Sequence, residues 1–513
     1  MAQKIAISLN VFGPEPLSKQ LFTSLLRSIE EGKIRAGERL PSIRDMAKQL
    51  QISTITVREA IDGLIEKGVV VSRHGSGNYV SGSVAAVQPA GEPLEELQFT
   101  QSTYASADWN LDESFRWTAQ ARHMNEAFNQ SSFHPWWDVP VAFDFRVYQP
   151  PTESIEGLHW SKIVERYARG GLSKHSEIFD FQGTLELRRE LSQWLNRTRK
   201  LNTSVHDLFI VSGAQQARDL VAAMLVKEGT KVVVEEPGSI TDLLAYKSKG
   251  AELISVAQDN DGIIVDLLNC VKGASVAHLL TTANFPTGAT LSRQRAQKVL
   301  SWAKLHGVTI VEDAYGGGFI YDDAQTESLA QLASGSDQAG GSDDAPDVIY
   351  IGSLSQLLNP ALRVAFVIVP ERFHGAFSRS HRLAQTAPPV LSQRLVLNYF
   401  GQGYFDEDVA RVTQAARLRR KALLSALETW SPNLISFFPV KAGFHQSVWF
   451  NEEIDDLRVF EVGLSKGIGI VPLSAYFRSD NGKSGMSLSF AQMNETKIQA
   501  GLEQLLPIVE GCR

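Results

Sequence analysis

Apolar side chains recur every three to four residues in three short segments near the start of the chain, as expected for amphipathic helices. The first helix is predicted over residues 16–32, and its apolar face is formed by Leu17, Leu21, Leu25 and Ile29. Ser42 and Ser53 stand just before the next two apolar repeats. Both are favourable N-cap residues, and Asp45 follows Ser42 at the spacing of a capping box. The pattern therefore predicts three consecutive helices.

Two short runs of strand type follow, over residues 69–72 and 78–80. They flank a glycine-rich turn over residues 73–77. Three helices followed by such a hairpin are typical of a winged helix-turn-helix, which places the first residues of one helix against base edges in the major groove of DNA. We therefore expect this segment to bind double-stranded DNA.

From residue 142 onward, apolar runs alternate with helical segments. The clearest runs cover residues 208–212, 231–235, 277–281 and 308–312. This alternation predicts an α/β domain that has a mostly parallel sheet with helices on both faces. Ligand-binding groups gather at the C-terminal ends of the strands in such a sheet. Gly213 follows one of these runs, at a predicted helix N-terminus whose free N–H groups suit a phosphate.

Composition narrows the choice of protein class. Hydrophobic residues make up 43% of the chain and charged residues 21%, which is ordinary for soluble globular proteins. No apolar run reaches the ~18 residues of a membrane span, and the first residues lack the apolar core of a signal peptide. Cys270 and Cys512 provide neither a disulfide framework nor a metal-binding spacing. We therefore expect a cytoplasmic protein with no metal site and no membrane partner.

Charge is distributed unevenly along the chain. Residues 1–80 contain 11 Lys and Arg against 8 Asp and Glu, although the whole chain has a net charge of -7. A mildly basic head on an acidic body is consistent with a small DNA-binding module joined to a larger domain.

The head resembles the GntR family of regulators over residues 12–80, most specifically in segments 37–44, 53–58 and 73–77. The resemblance implies that seven residues face operator DNA: Arg44, Ser53, Thr54, Thr56, Arg58, His74 and Gly75. We predict a winged-helix domain over residues 12–81. A partly ordered linker is predicted over 82–141, and an effector-binding and dimerisation domain over 142–513, with a small C-terminal subdomain from about residue 388.

The body resembles the fold-type-I, pyridoxal phosphate (PLP)-dependent aminotransferase-like domain of the MocR subfamily of GntR regulators. Segment 350–370 carries the resemblance, since its two serines, Pro360 and Arg363 follow the pattern of the segment that holds the cofactor lysine. The resemblance implies a cofactor site made of Gly213, Ala214, Gln215, Asn284, Asp313, Tyr315, Ser353, Ser355, Gln356 and Arg363. Within this set, Asp313 is assigned to the pyridine nitrogen, Asn284 and Tyr315 to the ring oxygen, and the serines and Arg363 to the phosphate.

Gln356 occupies the position of the lysine that forms a Schiff base with PLP in this family. An amide nitrogen is not nucleophilic, so Gln356 cannot form that bond, and no lysine occurs between Lys304 and Lys421. Ser239 stands where relatives place an aromatic ring against the pyridine, and Ser487 stands where many place an arginine that grips the substrate carboxylate. We therefore predict that the protein has no catalytic residues, is not an enzyme and binds PLP, or a related phosphorylated ligand, only non-covalently or not at all.

The resulting interpretation is a homodimeric transcription regulator with a degenerate sensor domain for a small-molecule effector. Two alternatives are consistent with the same sequence. The protein could be an active aminotransferase with an accessory DNA-binding head, or its body could be only a dimerisation scaffold.

Overall fold

The structure, a computed structural model, describes residues 17–30, 34, 37–50, 52–66, 69–73, 77–80, 118, 122–123, 139–147, 150–151, 159–169, 180–321, 327–335, 345–355, 357–479 and 482–513. The chain divides into two compact units, residues 1–103 and 104–513. Most of the predicted linker lies outside the described residues. No helix in the described part of the chain has the length and apolar character needed to cross a membrane.

The N-terminal unit has the predicted order of helices and strands. Its elements are α1 (Leu17–Glu30), α2 (Ile43–Leu50), α3 (Thr54–Glu66), β1 (Val70–Arg73) and β2 (Gly77–Val80). Ser42 caps α2 as predicted, because its hydroxyl accepts from the Asp45 amide at 3.1 Å. The Asp45 carboxylate accepts from the Ser42 hydroxyl at 2.7 Å, whereas a complete capping box would have it accept from the Ser42 backbone N–H. The strands form an antiparallel hairpin. Leu21, Leu25, Met46, Val57 and Leu64 fill the core between the helices.

The body is built on an eight-stranded sheet. Its strands are β4 (Leu208–Val211), β5 (Lys231–Glu236), β6 (Glu252–Asp259), β7 (Gly262–Ile263), β8 (Ala274–Leu279), β9 (Thr309–Asp313), β10 (Val348–Ser353) and β11 (Ala365–Ile368). They are arranged in the order β4-β11-β10-β9-β8-β5-β6-β7. The predicted mostly parallel sheet is confirmed, since β7 and β11 alone among these strands run against the others.

Both faces of this sheet are covered, which explains why its strands are continuous apolar runs. Along β5, Val232 and Val234 pack into the core on one face, and Val233 packs into the core on the other. The helices of the body are α4 (Trp160–Arg169), α5 (Leu185–Arg199), α6 (Ala214–Leu225), α7 (Ile240–Lys247), α8 (Val265–Leu268), α9 (Arg293–His306), α10 (Leu329–Ala333), α11 (His374–Gln385), α12 (Val390–Gly401), α13 (Tyr404–Leu427), α14 (Asp456–Ser465) and α15 (Glu495–Gly511).

A smaller sheet forms the C-terminal part of the body. Its strands are β12 (Ile435–Ser436), β13 (His445–Phe450), β15 (Val471–Pro472) and β16 (Gly485–Ser489), in the order β12-β13-β16-β15. A separate pair joins β3 (Phe143–Asp144) to β14 (Ile468–Gly469) in parallel. The first strand of the body therefore belongs structurally to the C-terminal part, although more than 300 residues separate the two in sequence.

Candidate functional site

One row of residues across three neighbouring strands positions the predicted phosphate ligands. Val211 of β4 pairs with Ala365 of β11, and Ala365 pairs with Ser353 of β10. Because β11 runs against its neighbours, the start of β11 meets the ends of β4 and β10 at one edge of the sheet. Gly213 and Arg363 lie just beyond this row. Residues distant in sequence thus converge where an α/β sheet binds its ligands.

Gly213 and Arg363 are in direct contact at this edge. Gly213 has φ +101°, and a Cβ at this position would lie 2.2 Å from Nη2 of Arg363. Only glycine therefore lets the guanidinium sit against the start of α6, where unpaired backbone N–H groups favour an anion. Arg363 is exposed, and its guanidinium makes no hydrogen bond or ion pair with the described residues. Its charge is available to a ligand.

Ser353 and Ser355 complete this edge. The Ser353 hydroxyl accepts a hydrogen bond from the Ser355 amide at 3.2 Å. The Ser355 hydroxyl is shielded from solvent and has no hydrogen-bond partner within the described residues. A buried hydroxyl is normally paired, so this atom suits an additional acceptor such as a phosphate oxygen. Gly213, Arg363 and the two serines are hereafter called the phosphate cup, together with Ala214 and Gln215 in the first turn of α6.

Gln356 directly follows the phosphate cup in sequence but lies outside the described residues. Its chemistry is nevertheless fixed by its identity. The cup has the donors that suit a phosphate group, whereas Gln356, predicted to stand at the anchor position, has no amine that could form a covalent bond to PLP.

Asp313 ends β9 at the same edge of the sheet, and its carboxylate already has a buried partner. Arg218 of α6 donates from Nε to Oδ2 of Asp313 at 2.7 Å, and the side chains are 8% and 4% exposed, respectively. Arg218 also donates to Oε1 of Gln215 at 3.2 Å. Arg218 is not among the site residues predicted from the sequence. Its position beside Ala217 and Val221 on the buried face of α6 was the available signal, because a charge on an apolar face requires a buried partner.

His278 approaches the same carboxylate from β8. Its Nε2 lies 3.9 Å from Oδ2 of Asp313 and forms no hydrogen bond within the described residues. Its Nδ1 is 3.0 Å from the hydroxyl of Tyr246. Burial lowers the pKa of His278 to about 4, although Asp313 acts in the opposite direction. The imidazole is therefore neutral at physiological pH, and Arg218 is the cation that balances Asp313.

Asn284 belongs to a buried hydrogen-bond network that uses both the oxygen and the nitrogen of its side-chain amide. Its Nδ2 donates to Oε2 of Glu235 at 2.8 Å, and its Oδ1 accepts from Gln258 at 2.9 Å. Burial raises the pKa of Glu235 to about 8, despite hydrogen bonds from Leu280 and Asn284. Glu235, Ser239, His278 and Asn284 line a narrow cavity with space for about one water molecule. The proposed contact of Asn284 with a ring oxygen remains a prediction.

Tyr315 stands in an aromatic group beside the same edge. Its ring centroid lies 6.3 Å from that of Phe285 and 6.2 Å from that of His445. Ser487 is fully buried on β16, where it pairs with Ser447, and its hydroxyl has no partner within the described residues. The assignment of Ser487 to the position of a carboxylate-binding arginine stays a prediction.

Of the seven residues predicted to face DNA, four have side chains that the structure describes and three do not. The Ser53 hydroxyl accepts from the Thr56 amide at 3.0 Å and lies 2.8 Å from the Thr56 hydroxyl, so it caps α3. Thr54 and Arg58 are exposed on α3. Arg44 lies in α2, but its side chain is outside the described set, as are His74 and Gly75.

Each of the two units matches a known protein family. Residues 17–80 match the bacterial regulatory proteins of the gntR family, and residues 147–505 match the family aminotransferase class I and II. The chain therefore belongs to the aminotransferase class I and II family over most of its length and carries a GntR helix-turn-helix domain before it. It is a DNA-binding regulator of the GntR/MocR type with an aminotransferase-like domain.

Full-length relatives share this architecture. The chain is 25% identical to the uncharacterized HTH-type transcriptional regulator YdfD of Bacillus subtilis, over 96% of this chain and 95% of that protein. It is 24% identical to the probable rhizopine catabolism regulatory protein MocR of Rhizobium meliloti, over 96% and 93%. The solved structure of the α-aminoadipate aminotransferase LysN from Thermus thermophilus matches with a TM-score of 0.68 and 23% identity, covering 78% of this chain and 99% of LysN. This likeness shows the fold of the body.

Proposed function

We propose that the body is a catalytically inactive sensor that binds a phosphorylated small molecule non-covalently and that this binding regulates the DNA-binding head. The contact between Gly213 and Arg363 carries the proposal, because it places an exposed guanidinium at the N-terminus of α6. The ligand phosphate would be held by the amides of Ala214 and Gln215, the hydroxyl of Ser355 and the Arg363 side chain.

We propose that the body does not catalyse transamination, because three of its side chains lack the chemistry that the reaction needs. Gln356 supplies no amine, and the sequence has no lysine within about 50 residues on either side. Ser239 supplies no ring to stack on a pyridine, and Ser487 supplies no cation for a substrate carboxylate. PLP would contribute an electron-accepting ring when bound, but these residues can neither anchor it covalently nor orient an amino acid against it.

The head and body are proposed to act together as a homodimer in the cytoplasm. A dimer would present two heads to two half-sites of an operator, which is the usual arrangement for helix-turn-helix regulators. Thr54 and Arg58 would read base edges, while Arg44, His74 and Gly75 would contact the same DNA. Light scattering on the full-length protein tests the oligomeric state, and a monomer at micromolar concentration would contradict the dimer.

Thermal melting with graded ligands tests the sensor. PLP, pyridoxamine 5′-phosphate and inorganic phosphate are compared with pyridoxal, which has no phosphate. Preferential binding to the folded state should raise the melting temperature. We expect a shift with the phosphorylated compounds and none with pyridoxal. Arg363→Ala should abolish the shift, whereas Arg458→Ala, which removes an exposed guanidinium from α14, should retain it.

Other outcomes would identify the alternative functions. No shift with any phosphorylated compound in the wild-type protein would favour a body that serves only as a dimerisation scaffold. Turnover of amino acids with PLP, or an absorption band of covalently bound cofactor in the purified protein, would favour an active aminotransferase with an accessory DNA-binding head.

A further inference from the structure

A buried ion pair between Arg218 and Asp313 lies in the candidate site. Asp313 is the carboxylate that the family resemblance assigns to a pyridine nitrogen. Arg218 already occupies one of its oxygens at 2.7 Å, and both side chains are almost completely buried. A buried carboxylate stabilises a protonated nitrogen less when its charge is already balanced by another cation. Here the neutralising cation is supplied by the protein itself.

Arg218 is also tied to the phosphate cup. It lies on α6, the helix whose first turn carries Ala214 and Gln215, and its Nη1 donates to Oε1 of Gln215 at 3.2 Å. Two structural contacts therefore hold the guanidinium beside Asp313. Separating a buried ion pair is unfavourable, because each charge would remain in a poorly solvated position. A ligand cation would have to displace Arg218 or share the carboxylate with it.

The histidine beside Asp313 does not offset this arrangement. His278 is fully buried, its Nε2 is 3.9 Å from the carboxylate, and its ring is neutral because burial lowers its pKa to about 4. Asp313 and Arg218 together thus form an electrically balanced unit at the end of β9. A further positive charge placed against this unit would gain little from Asp313 and would be repelled by Arg218.

We infer that Arg218 determines ligand specificity, so that the site accepts a phosphorylated ligand with an uncharged ring and does not select for a protonated ring nitrogen. This inference rests on the proposed binding of a phosphorylated ligand at the phosphate cup. It differs from the expectation that Asp313 holds a pyridinium. The phosphate cup holds the phosphate of the ligand. The paired Asp313 and Arg218 side chains then give no preference for a ligand whose ring carries a positive charge.

Calorimetric titration of the full-length protein with two matched compounds tests the inference. The first is pyridoxine 5′-phosphate, and the second is its analogue with C–H in place of the ring nitrogen. Neither has an aldehyde, so neither forms adducts with lysines. We expect the wild-type protein to bind the two compounds with dissociation constants within about threefold of each other. Arg218→Leu should restore a preference for pyridoxine 5′-phosphate of about tenfold or more.

The outcomes separate this inference from the proposed function. Wild-type protein that binds the nitrogen compound about tenfold tighter would overturn the role of Arg218 and leave the sensor intact. Equal binding in both the wild type and Arg218→Leu would also overturn it, because the variant exposes Asp313 to the ligand. If Arg218→Leu does not fold, Arg218→Gln replaces it, since Gln can still donate to Asp313 but carries no charge. Failure of the wild type to bind either compound would overturn both proposals.

Discussion

The guanidinium of Arg363 lies so close to Gly213 that a Cβ at position 213 would be 2.2 Å from its Nη2. The two residues are 150 positions apart in sequence, yet each depends on the other's conformation. Gly213 has φ +101° and Arg363 has φ +51°, both in the left-handed region that side chains disfavour. The contact therefore links the start of α6 to the turn that precedes β11.

Gly213→Ala is expected to displace the Arg363 side chain and to weaken binding of phosphorylated ligands. The matched control is Gly229→Ala, because Gly229 also has a positive φ, of 76°, but a Cβ there would meet nothing within 4 Å. Both variants should lose about 1 kcal/mol of stability through backbone strain. Only Gly213→Ala should lose the melting shift with PLP. Equal ligand responses in the two variants would contradict the contact's role.

Gln356→Lys is expected to introduce a covalent link to PLP, provided that the phosphate cup is intact. A primary amine at this position supplies the nucleophile that the amide lacks. Borohydride reduction followed by mass spectrometry should find a pyridoxyl group on Lys at position 356 in the variant and no pocket adduct in the wild type. Gln356→Met, which adds no amine, is the control.

Transamination should remain absent in Gln356→Lys, because Ser239 and Ser487 still leave an amino acid substrate without a stacking ring and a carboxylate partner. The measurement is the release of keto acid from an amino acid panel. Turnover in the wild-type protein, or a trapped adduct on another pocket lysine, would show that the anchor has been assigned to the wrong residue.

Arg58→Ala is expected to weaken binding to the preferred operator by about 1–3 kcal/mol if the guanidinium reads a guanine. Arg58 is exposed on α3, so the substitution should not disturb the core of the N-terminal unit. Binding to a scrambled duplex, measured by fluorescence anisotropy, serves as the control and should change less. Affinity should also fall steeply with added salt. Unchanged affinity for the operator would remove Arg58 from the base-reading set.

Ser53→Ala is expected to lower both stability and DNA affinity, whereas Thr54→Ala is expected to lower DNA affinity alone, although the two residues are adjacent. Ser53 caps α3 through the Thr56 amide at 3.0 Å, and losing an N-cap typically costs about 1 kcal/mol. Ser53→Ala should therefore lower the melting temperature of the head as well as its DNA affinity. Thr54 is exposed, so Thr54→Ala should reduce affinity alone. A similar loss of stability in both variants would contradict this distinction.

Glu235→Gln is expected to change how stability depends on pH. Burial raises the pKa of Glu235 from 4.5 to about 8. As pH rises through this window, the unfolded chain releases the proton while the folded protein retains it, so Glu235 progressively destabilises the wild type. The variant has no such proton and should gain stability relative to the wild type.

The expected gain between about pH 5 and about pH 8 is on the order of a few kcal/mol, since one pKa unit corresponds to about 1.4 kcal/mol. Chemical unfolding of both proteins over this range measures it. Other buried groups, such as His278 and Glu312, are common to the two proteins and largely cancel in the difference. Parallel stability profiles would show that Glu235 is already ionised in the folded state.

Local sequence determined the main elements because each carries its own periodicity. Leu21 and Leu25 mark one face of α1, and Ser42 with Asp45 marks the start of α2. The alternation of apolar runs with helices is sufficient to predict a mostly parallel sheet. The proposed loss of a covalent anchor also rests on sequence alone, since it depends on the family resemblance of segment 350–370 and on the chemistry of Gln356.

The tertiary structure decided what each site residue contacts, because hydrogen-bond partners come from strands and helices that are distant in the chain. Asn284 is predicted to contact a ring oxygen, and the fold adds Glu235 and Gln258 as partners of its amide. Asp313 is predicted to face a ring nitrogen, and the approach of α6 to β9 adds Arg218 as a partner of its carboxylate. Both ligand contacts stay predictions. The residue types were therefore readable from the sequence, whereas the pairing of Asp313 with Arg218 and of Gly213 with Arg363 depends on the order and direction of the strands.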